Sequence, residues 1–143
     1  MGARLGKLLA EGDIICLEGE LGTGKTCFIQ GIGRGMGIRE RITSPSFTLI
    51  REYRGQGARL RLYHIDLYRI EEVVEAFLLG LDDYLYDGGV CVIEWAERAR
   101  DILPWECLWI TLRHLGERER SLTLEARGRR YGQLLAKWEE GCF

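Results

Sequence analysis

The amino-acid sequence predicts a single α/β domain. Two runs that are apolar throughout, residues 14–17 and 90–93, are typical of buried central strands. Between them, apolar residues recur at helical spacing, most clearly over residues 70–81. A length of 143 residues is enough for one core and too short for a separate substrate domain. We therefore expect residues 1–143 to form one domain.

The composition is that of an ordinary globular protein, with 46% hydrophobic and 29% charged residues. A formal net charge of -2 gives no overall positive field, so any contact with RNA is expected to be local or through a partner. The five cysteines include no CxxC pair and suggest neither a disulfide framework nor a zinc site. With no apolar run of membrane length and no export signal, we expect a cytoplasmic protein without a membrane span.

The first half of the chain has the pattern of a helix, a strand, a loop and a second helix. Residues 4–9 suggest a short helix, and the strand at residues 14–17 follows. A second helix is expected from Lys25, because the apolar residues after it fall on one face. Four glycines weaken this helix and are expected to end it: Gly31, Gly33, Gly35 and Gly37.

The middle of the chain predicts a β-hairpin and an amphipathic helix. Residues 47–53 and 60–65 are expected to pair antiparallel around a turn at residues 55–57. The spacing over residues 70–81 predicts the clearest amphipathic helix in the chain. Two more strands and a last helix are expected at residues 107–113, 121–126 and 131–138.

A phosphate-binding motif follows the first strand. Residues 19–26 match G-x-x-x-x-G-K-S/T without a mismatch, between an apolar strand and a helix as the motif requires. In this motif the backbone N–H groups form an anion nest, the lysine reaches the β- and γ-phosphates, and the last hydroxyl ligates magnesium. The sequence thus predicts a P-loop that binds a nucleoside triphosphate with Mg²⁺ through Gly19, Glu20, Leu21, Gly22, Thr23, Gly24, Lys25 and Thr26.

Such a site also needs a carboxylate near the metal and a group that positions the attacking water. Glu94 ends an apolar strand like a Walker B acid, and Asp66 ends another; for each, the alternative is a carboxylate that caps the next helix. Trp95 is either a core residue or part of the nucleotide or partner surface. Thr43 belongs to either a switch-like loop that contacts the γ-phosphate or metal, or a simple capping turn. His64 is interpreted as a satisfied core or edge histidine and is left out of the catalytic set.

Five motifs together resemble the TsaE family, the bacterial ATPases of tRNA threonylcarbamoyladenosine biosynthesis. They are GELGTGKT from residue 19, TSPSFTLIREY from residue 43, LYHIDLYR from residue 62, GLDDYL from residue 80 and IEWAER from residue 93. The P-loop alone is generic, whereas the other four in this order are specific to the family. The resemblance runs over nearly the whole chain.

The resemblance implies a P-loop NTPase fold, with a mixed sheet whose central parallel strands are flanked by antiparallel strands. It also implies a weak Mg²⁺-dependent ATPase that works with the TsaD and TsaB proteins. Together they help to install threonylcarbamoyl on the adenosine beside the anticodon, and contact of this chain with tRNA is expected to be indirect. Carried over by motif, the site comprises Lys25 for the phosphates, Thr26 and Glu94 for the metal, Asp66 and Glu94 as the acidic pair, Thr43 in the switch-like loop, and Trp95.

Three other functions share the P-loop. A GTPase needs an Asn-Lys-x-Asp type guanine reader, and the sequence contains no asparagine. A small-molecule kinase needs an acceptor pocket and lid arginines, for which 143 residues leave little room. A nucleotide-dependent binding module, in which hydrolysis only resets affinity for partners, overlaps with the family and stays open.

Overall fold

The structure, a computed structural model, describes residues 1–20, 22–43, 49–54 and 60–141. Four predictions fall wholly or partly outside the described residues. They concern Leu21 of the P-loop, the loop residues 44–46 after Thr43, the first two residues of the strand predicted at 47–53, and the hairpin turn at residues 55–57.

The described part of the chain forms a six-stranded mixed sheet with helices on both faces. The strands are β1 (Ile14–Glu18), β2 (Ile50–Tyr53), β3 (Leu62–Asp66), β4 (Val90–Glu94), β5 (Cys107–His114) and β6 (Arg120–Arg127). The helices are α1 (Gly2–Leu8), α2 (Lys25–Gly35), α3 (Val73–Leu78), α4 (Leu81–Leu85) and α5 (Arg129–Glu140), with a 3-10 turn at Ala96–Ala99. Among the described residues, none of the helices has the length and apolar character needed to span a bilayer.

The strand order is β2-β3-β4-β1-β5-β6. The four inner strands are parallel to one another, and β2 and β6 pair antiparallel at the two edges. This confirms the α/β fold with central parallel strands flanked by antiparallel strands. It also confirms that the two strands of the predicted hairpin pair antiparallel, as β2 with β3.

The inner strands are apolar throughout because both faces of the sheet are covered. Successive side chains of β1 alternate between two cores: Ile15 and Leu17 pack with α1, α2 and α5, whereas Ile14 and Cys16 pack with α3, α4 and the 3-10 turn. Fully apolar strands therefore reflect two-sided burial.

The single helix predicted over residues 70–81 is wrong. The segment forms α3 and α4, which are separated at Gly80, a residue with a left-handed φ of 75°. Within α3, the one buried residue is Ala76. The larger apolar side chains of this helix face solvent, so helical spacing here does not mark a core face; they are Val74, Phe77 and Leu78.

Glycines of both α1 and α2 permit close contact between the two helices. A Cβ built on Gly2 would lie 2.6 Å from a backbone oxygen of α2, and one built on Gly6 would overlap another. A Cβ on Gly35 would likewise overlap a backbone oxygen of α1, and one on Gly31 would crowd the same helix. The two backbones therefore touch along a glycine face, which offsets the low helix propensity of glycine.

We predict that Gly6→Ala lowers the free energy of unfolding by about 1–3 kcal/mol, because the overlap must be relieved by moving two helices apart. The matched control is Gly132→Ala in α5, where a Cβ would meet no atom within 4 Å. That change should raise stability by roughly 0.5–1 kcal/mol through helix propensity. Urea unfolding followed by circular dichroism measures both, and a stabilising Gly6→Ala would contradict the close contact.

Candidate active site

The carboxyl ends of three neighbouring parallel strands, β1, β3 and β4, lie side by side. Leu17 of β1 pairs with Glu94 of β4, and Asp66 of β3 pairs with Glu94 on the other side. The loop after β1 leads directly into α2. The loop therefore emerges beside both carboxylates, in the crevice outside the carboxyl ends of the strands where ligands bind in α/β sheets.

The glycines of this loop satisfy backbone requirements. Gly22 and Gly24 have left-handed φ values of 78° and 95°, which favour glycine. At Gly19 the loop passes so close to β5 that a Cβ would lie 2.7 Å from the Leu112 carbonyl oxygen. The Thr23 hydroxyl donates a hydrogen bond to the Glu20 carbonyl at 2.8 Å and closes the turn.

Lys25 is the first residue of α2, and its side chain is buried against the loop that precedes it. Its Nζ donates a hydrogen bond to the Gly19 carbonyl and lies 3.7 Å from the centroid of the Trp95 ring. Burial lowers the pKa of Lys25 below its ordinary value, and the negative charge of Glu94 acts in the opposite direction. The ammonium group is thus largely removed from water, and the charge of Glu94 offsets part of this cost.

Glu94 is buried and contacts a histidine. Its Oε2 lies 2.7 Å from Nε2 of His64, which is fully buried on the neighbouring strand. Among the described residues, His64 Nδ1 has no hydrogen-bond partner. The interpretation of His64 as a core histidine is correct, but only Nε2 is satisfied among the described residues, and the interpretation missed that its partner is the predicted metal carboxylate. The parallel pairing of His64 with Val92, two residues before Glu94, is a long-range feature that no local pattern shows.

Asp66 is half-buried at the end of β3. Its Oδ1 accepts a hydrogen bond from the Tyr68 N–H at 3.0 Å, a local contact of the capping kind. Burial raises the pKa of Asp66 above its ordinary value, and the negative charge of Glu94 adds to this effect. The carboxylate therefore has a structural contact and also an environment that disfavours its charge.

Trp95 is the one non-glycine residue with a positive φ among the described residues, at 58°. The centroid of its half-buried ring lies 5.2 Å from the centroid of the Tyr68 ring. The same centroid lies 5.1 Å from the guanidinium carbon of Arg98. Left-handed backbone is unfavourable for a bulky residue and is concentrated at functional sites. The ring covers the amino group of Lys25, and the part of Trp95 in a nucleotide or partner surface stays a prediction.

A cleft of about 330 Å³ brings most of the predicted site residues together. It lies between the start of α2 and the ends of β3 and β4, and is lined by Gly22, Gly24, Lys25, Thr26, Cys27, Asp66, Tyr68, Glu94 and Trp95. A second cleft of about 330 Å³ lies towards β5. The predicted residues Gly19, Glu20, Thr23 and Trp95 line this second cleft.

Thr43 is held elsewhere, by β2. Its N–H donates a hydrogen bond to the Tyr53 hydroxyl at 3.2 Å, and its hydroxyl accepts one from Arg51 at 3.3 Å. It is not among the described residues that line either cleft. Its place in a switch-like loop stays a prediction.

The residues of the first cleft fit magnesium bound together with phosphate. Mg²⁺ usually takes one or two carboxylates and completes its octahedron with phosphate oxygens and water. Thr26, Asp66 and Glu94 line the same cleft. Among the described residues, no three His, Cys, Asp or Glu side chains form a metal site by themselves. This is the donor set expected where the metal arrives with a nucleotide.

Comparison with known proteins decides the family. A family model described as "Threonylcarbamoyl adenosine biosynthesis protein TsaE" matches residues 1–122. The chain belongs to the TsaE family. It is 46% identical over 123 residues to the tRNA threonylcarbamoyladenosine biosynthesis protein TsaE of Treponema pallidum, covering 86% of this chain and 89% of that protein. The Bacillus subtilis TsaE is also 46% identical over 123 residues, covering 86% of this chain and 75% of that protein.

A solved structure agrees with this membership. The crystal structure of Bacillus subtilis YdiB superposes with a TM-score of 0.79 at 39% sequence identity, over 99% of this chain and 87% of that chain. The motif-based assignment to TsaE is therefore confirmed, together with the mixed α/β fold. Membership supports a nucleotide-dependent role in tRNA threonylcarbamoyladenosine biosynthesis.

We predict that Asp66→Asn is more stable than wild type at pH 7. Because burial raises the pKa of Asp66 above its ordinary 3.8, the ionised carboxylate destabilises the folded state. The penalty is absent below pH 3.8, where the group is protonated in both the folded and the unfolded state. It develops as the pH rises through the raised pKa of the folded state. The melting temperatures should therefore coincide at low pH and diverge towards neutrality.

Thermal unfolding in the presence of EDTA, from pH 3.5 to 7, measures this difference. The exposed carboxylate of Asp101 provides the control, and Asp101→Asn should not reproduce the divergence. A wild type that is more stable than Asp66→Asn at pH 7 would show that the contact to Tyr68 outweighs the burial of charge.

Proposed function

We propose that residues 1–143 form one P-loop ATPase domain that hydrolyses ATP with Mg²⁺. In this proposal it supports threonylcarbamoyl modification of the adenosine next to the anticodon in tRNA, in the cytoplasm and with the TsaD and TsaB proteins. The observation that carries the proposal is the convergence of Lys25, Thr26, Asp66 and Glu94 on one cleft. The names of the relatives support the choice of pathway.

Lys25 and the loop before it serve the phosphates in this proposal. The left-handed glycines turn the loop so that successive N–H groups can face an anion, and the start of α2 adds the positive end of a helix dipole. Lys25 Nζ already lies at the loop, where it donates to the Gly19 carbonyl. Moving this ammonium from a carbonyl to a phosphate exchanges a neutral acceptor for a charged one, which favours binding.

Glu94 and Thr26 hold magnesium in this proposal, and Asp66 positions the attacking water. When bound, the metal neutralises charge that develops on the phosphate oxygens. The contact with His64 fixes the Glu94 carboxylate before any ligand binds, as partners behind a metal ligand commonly do. The raised pKa of Asp66 brings this carboxylate closer to the range in which it can accept a proton.

Hydrolysis by the chain alone is expected to be slow. No arginine is among the described residues that line the first cleft, and the nearby Arg98 is engaged, since it donates to the Ile70 carbonyl at 2.9 Å. An arginine at the transferred phosphoryl group and the exclusion of water are what accelerate P-loop hydrolysis. A partner that closes over Trp95 would supply the missing elements.

We predict that the purified chain releases phosphate from ATP slowly, and that the TsaD and TsaB proteins raise the rate by about tenfold or more. Steady-state phosphate release measures this rate with and without the partners. Fast turnover that ignores the partners would contradict the proposal. ADP formation that requires a small-molecule acceptor would favour a kinase.

The substitution Lys25→Ala should weaken ATP binding by about 100-fold or more and leave the fold intact, because a charge-assisted contact to phosphate is removed. Lys137→Ala, which removes an amino group from the last turn of α5, is the matched control. Calorimetric titration with ATP measures affinity, and circular dichroism checks folding. A folded Lys25→Ala variant with wild-type affinity for ATP would show that this loop is not the phosphate site.

Glu94→Gln should keep ATP affinity within about threefold and slow hydrolysis by about 100-fold, because a neutral amide is a poor ligand for a hard cation. The amide oxygen can still accept a hydrogen bond from His64, so the fold should be retained. Glu119→Gln, at an exposed position between β5 and β6, is the control. Equal hydrolysis rates in all three proteins would return Glu94 to a structural role.

A further inference from the structure

Helix α3 exposes its large apolar side chains instead of burying them. Val74, Phe77 and Leu78 are 53%, 63% and 77% exposed. Their spacing of three and four residues makes them neighbours on one side of the helix, which we name the α3 face. Contiguous apolar surface rimmed by polar residues marks interaction sites in soluble proteins.

The α3 face lies in an acidic part of the chain. Residues 71–87 contain six carboxylates, all at exposed positions, and no lysine, arginine or histidine. The first turn of the helix is closed by a capping box, in which the Glu75 carboxylate accepts a hydrogen bond from the Glu72 N–H. Asp87 forms an ion pair with Arg61 at 3.1 Å, and the other five carboxylates make up the acidic rim: Glu71, Glu72, Glu75, Asp82 and Asp83.

A chain of contacts connects α3 to the nucleotide cleft. Arg98 donates a hydrogen bond at 2.9 Å to the carbonyl of Ile70, just before α3. Its guanidinium also lies over the Trp95 ring, which in turn lies over Lys25. A protein bound to the α3 face would therefore contact a helix whose preceding residue, Ile70, is connected through Arg98 to Trp95. Trp95 in turn lies next to the phosphate loop.

We propose that the α3 face is the docking surface for a partner protein that presents an apolar pocket rimmed by lysine and arginine. The acidic rim repels the phosphates of nucleic acid and anionic lipid, whereas it complements and steers a basic protein surface. In the complex, Phe77 and Leu78 are buried as anchors in the partner's apolar pocket. The carboxylates attract the basic rim of that pocket and so speed association. The existence of a partner rests on the proposed function; the place and its chemistry rest on α3.

The experiment measures binding of the full chain to the purified TsaD and TsaB proteins of the same organism, by biolayer interferometry with an ATP analogue present. The double substitution Phe77→Ser with Leu78→Ser should raise the Kd by about tenfold or more. The matched control is Trp105→Ser, which removes a 68% exposed aromatic side chain just before β5, where the parallel strands begin, and should leave the Kd unchanged. Basal ATP hydrolysis should be the same in all three proteins.

A charge reversal tests the rim. Glu71→Lys should slow association at low salt by about threefold or more, and this effect should fade as salt is raised; Glu117→Lys, between β5 and β6, should do neither. If wild type binds and the double variant binds equally well, the α3 face is not the docking surface and the proposed function stands. Loss of tRNA affinity in the double variant, with partner binding unchanged, would also overturn the proposal. If wild type hydrolyses ATP but binds neither protein, this surface and its partners are both wrong.

Discussion

The parallel pairing of β4 with β1 on one side and β3 on the other is the constraint on which the site depends. It sets Glu94 level with Leu17 and with Asp66. Side chains alternate along a strand, so a slip of one residue in either pairing would turn a whole strand to the other core. Because both cores are apolar and closed, the register is strongly specified, and the positions of the carboxylates are fixed by packing far from them.

Burial sets the electrostatics of the site. It lowers the pKa of Lys25 and raises the pKa of Asp66 and of Glu97, a residue that lines the second cleft, so it disfavours charge on both kinds of group. Opposite charges nearby offset this penalty only in part. Such an arrangement lowers the stability of the folded state. It also leaves groups whose ionisation responds strongly when a charged ligand binds.

What could be predicted from the sequence was local. The fully apolar strands, the glycine-rich loop and the residues at the strand ends follow from short patterns, and the comparisons confirm the family that these motifs indicate. The contact between His64 and Glu94 joins residues 30 positions apart, and the register that creates it has no local signal. The α3 segment misled because helical spacing indicates an apolar face without indicating what covers it.

The glycine face between α1 and α2 has a consequence for how the chain can be shortened. Glycine-rich α2 has little intrinsic helical stability, so the backbone of α1 is a large part of what holds it in shape. The phosphate loop ends where α2 begins, at Lys25. Residues 2–8 could be mistaken for a dispensable leader. Removing them would leave the nucleotide site attached to a helix without its support, although no residue of the site had been touched.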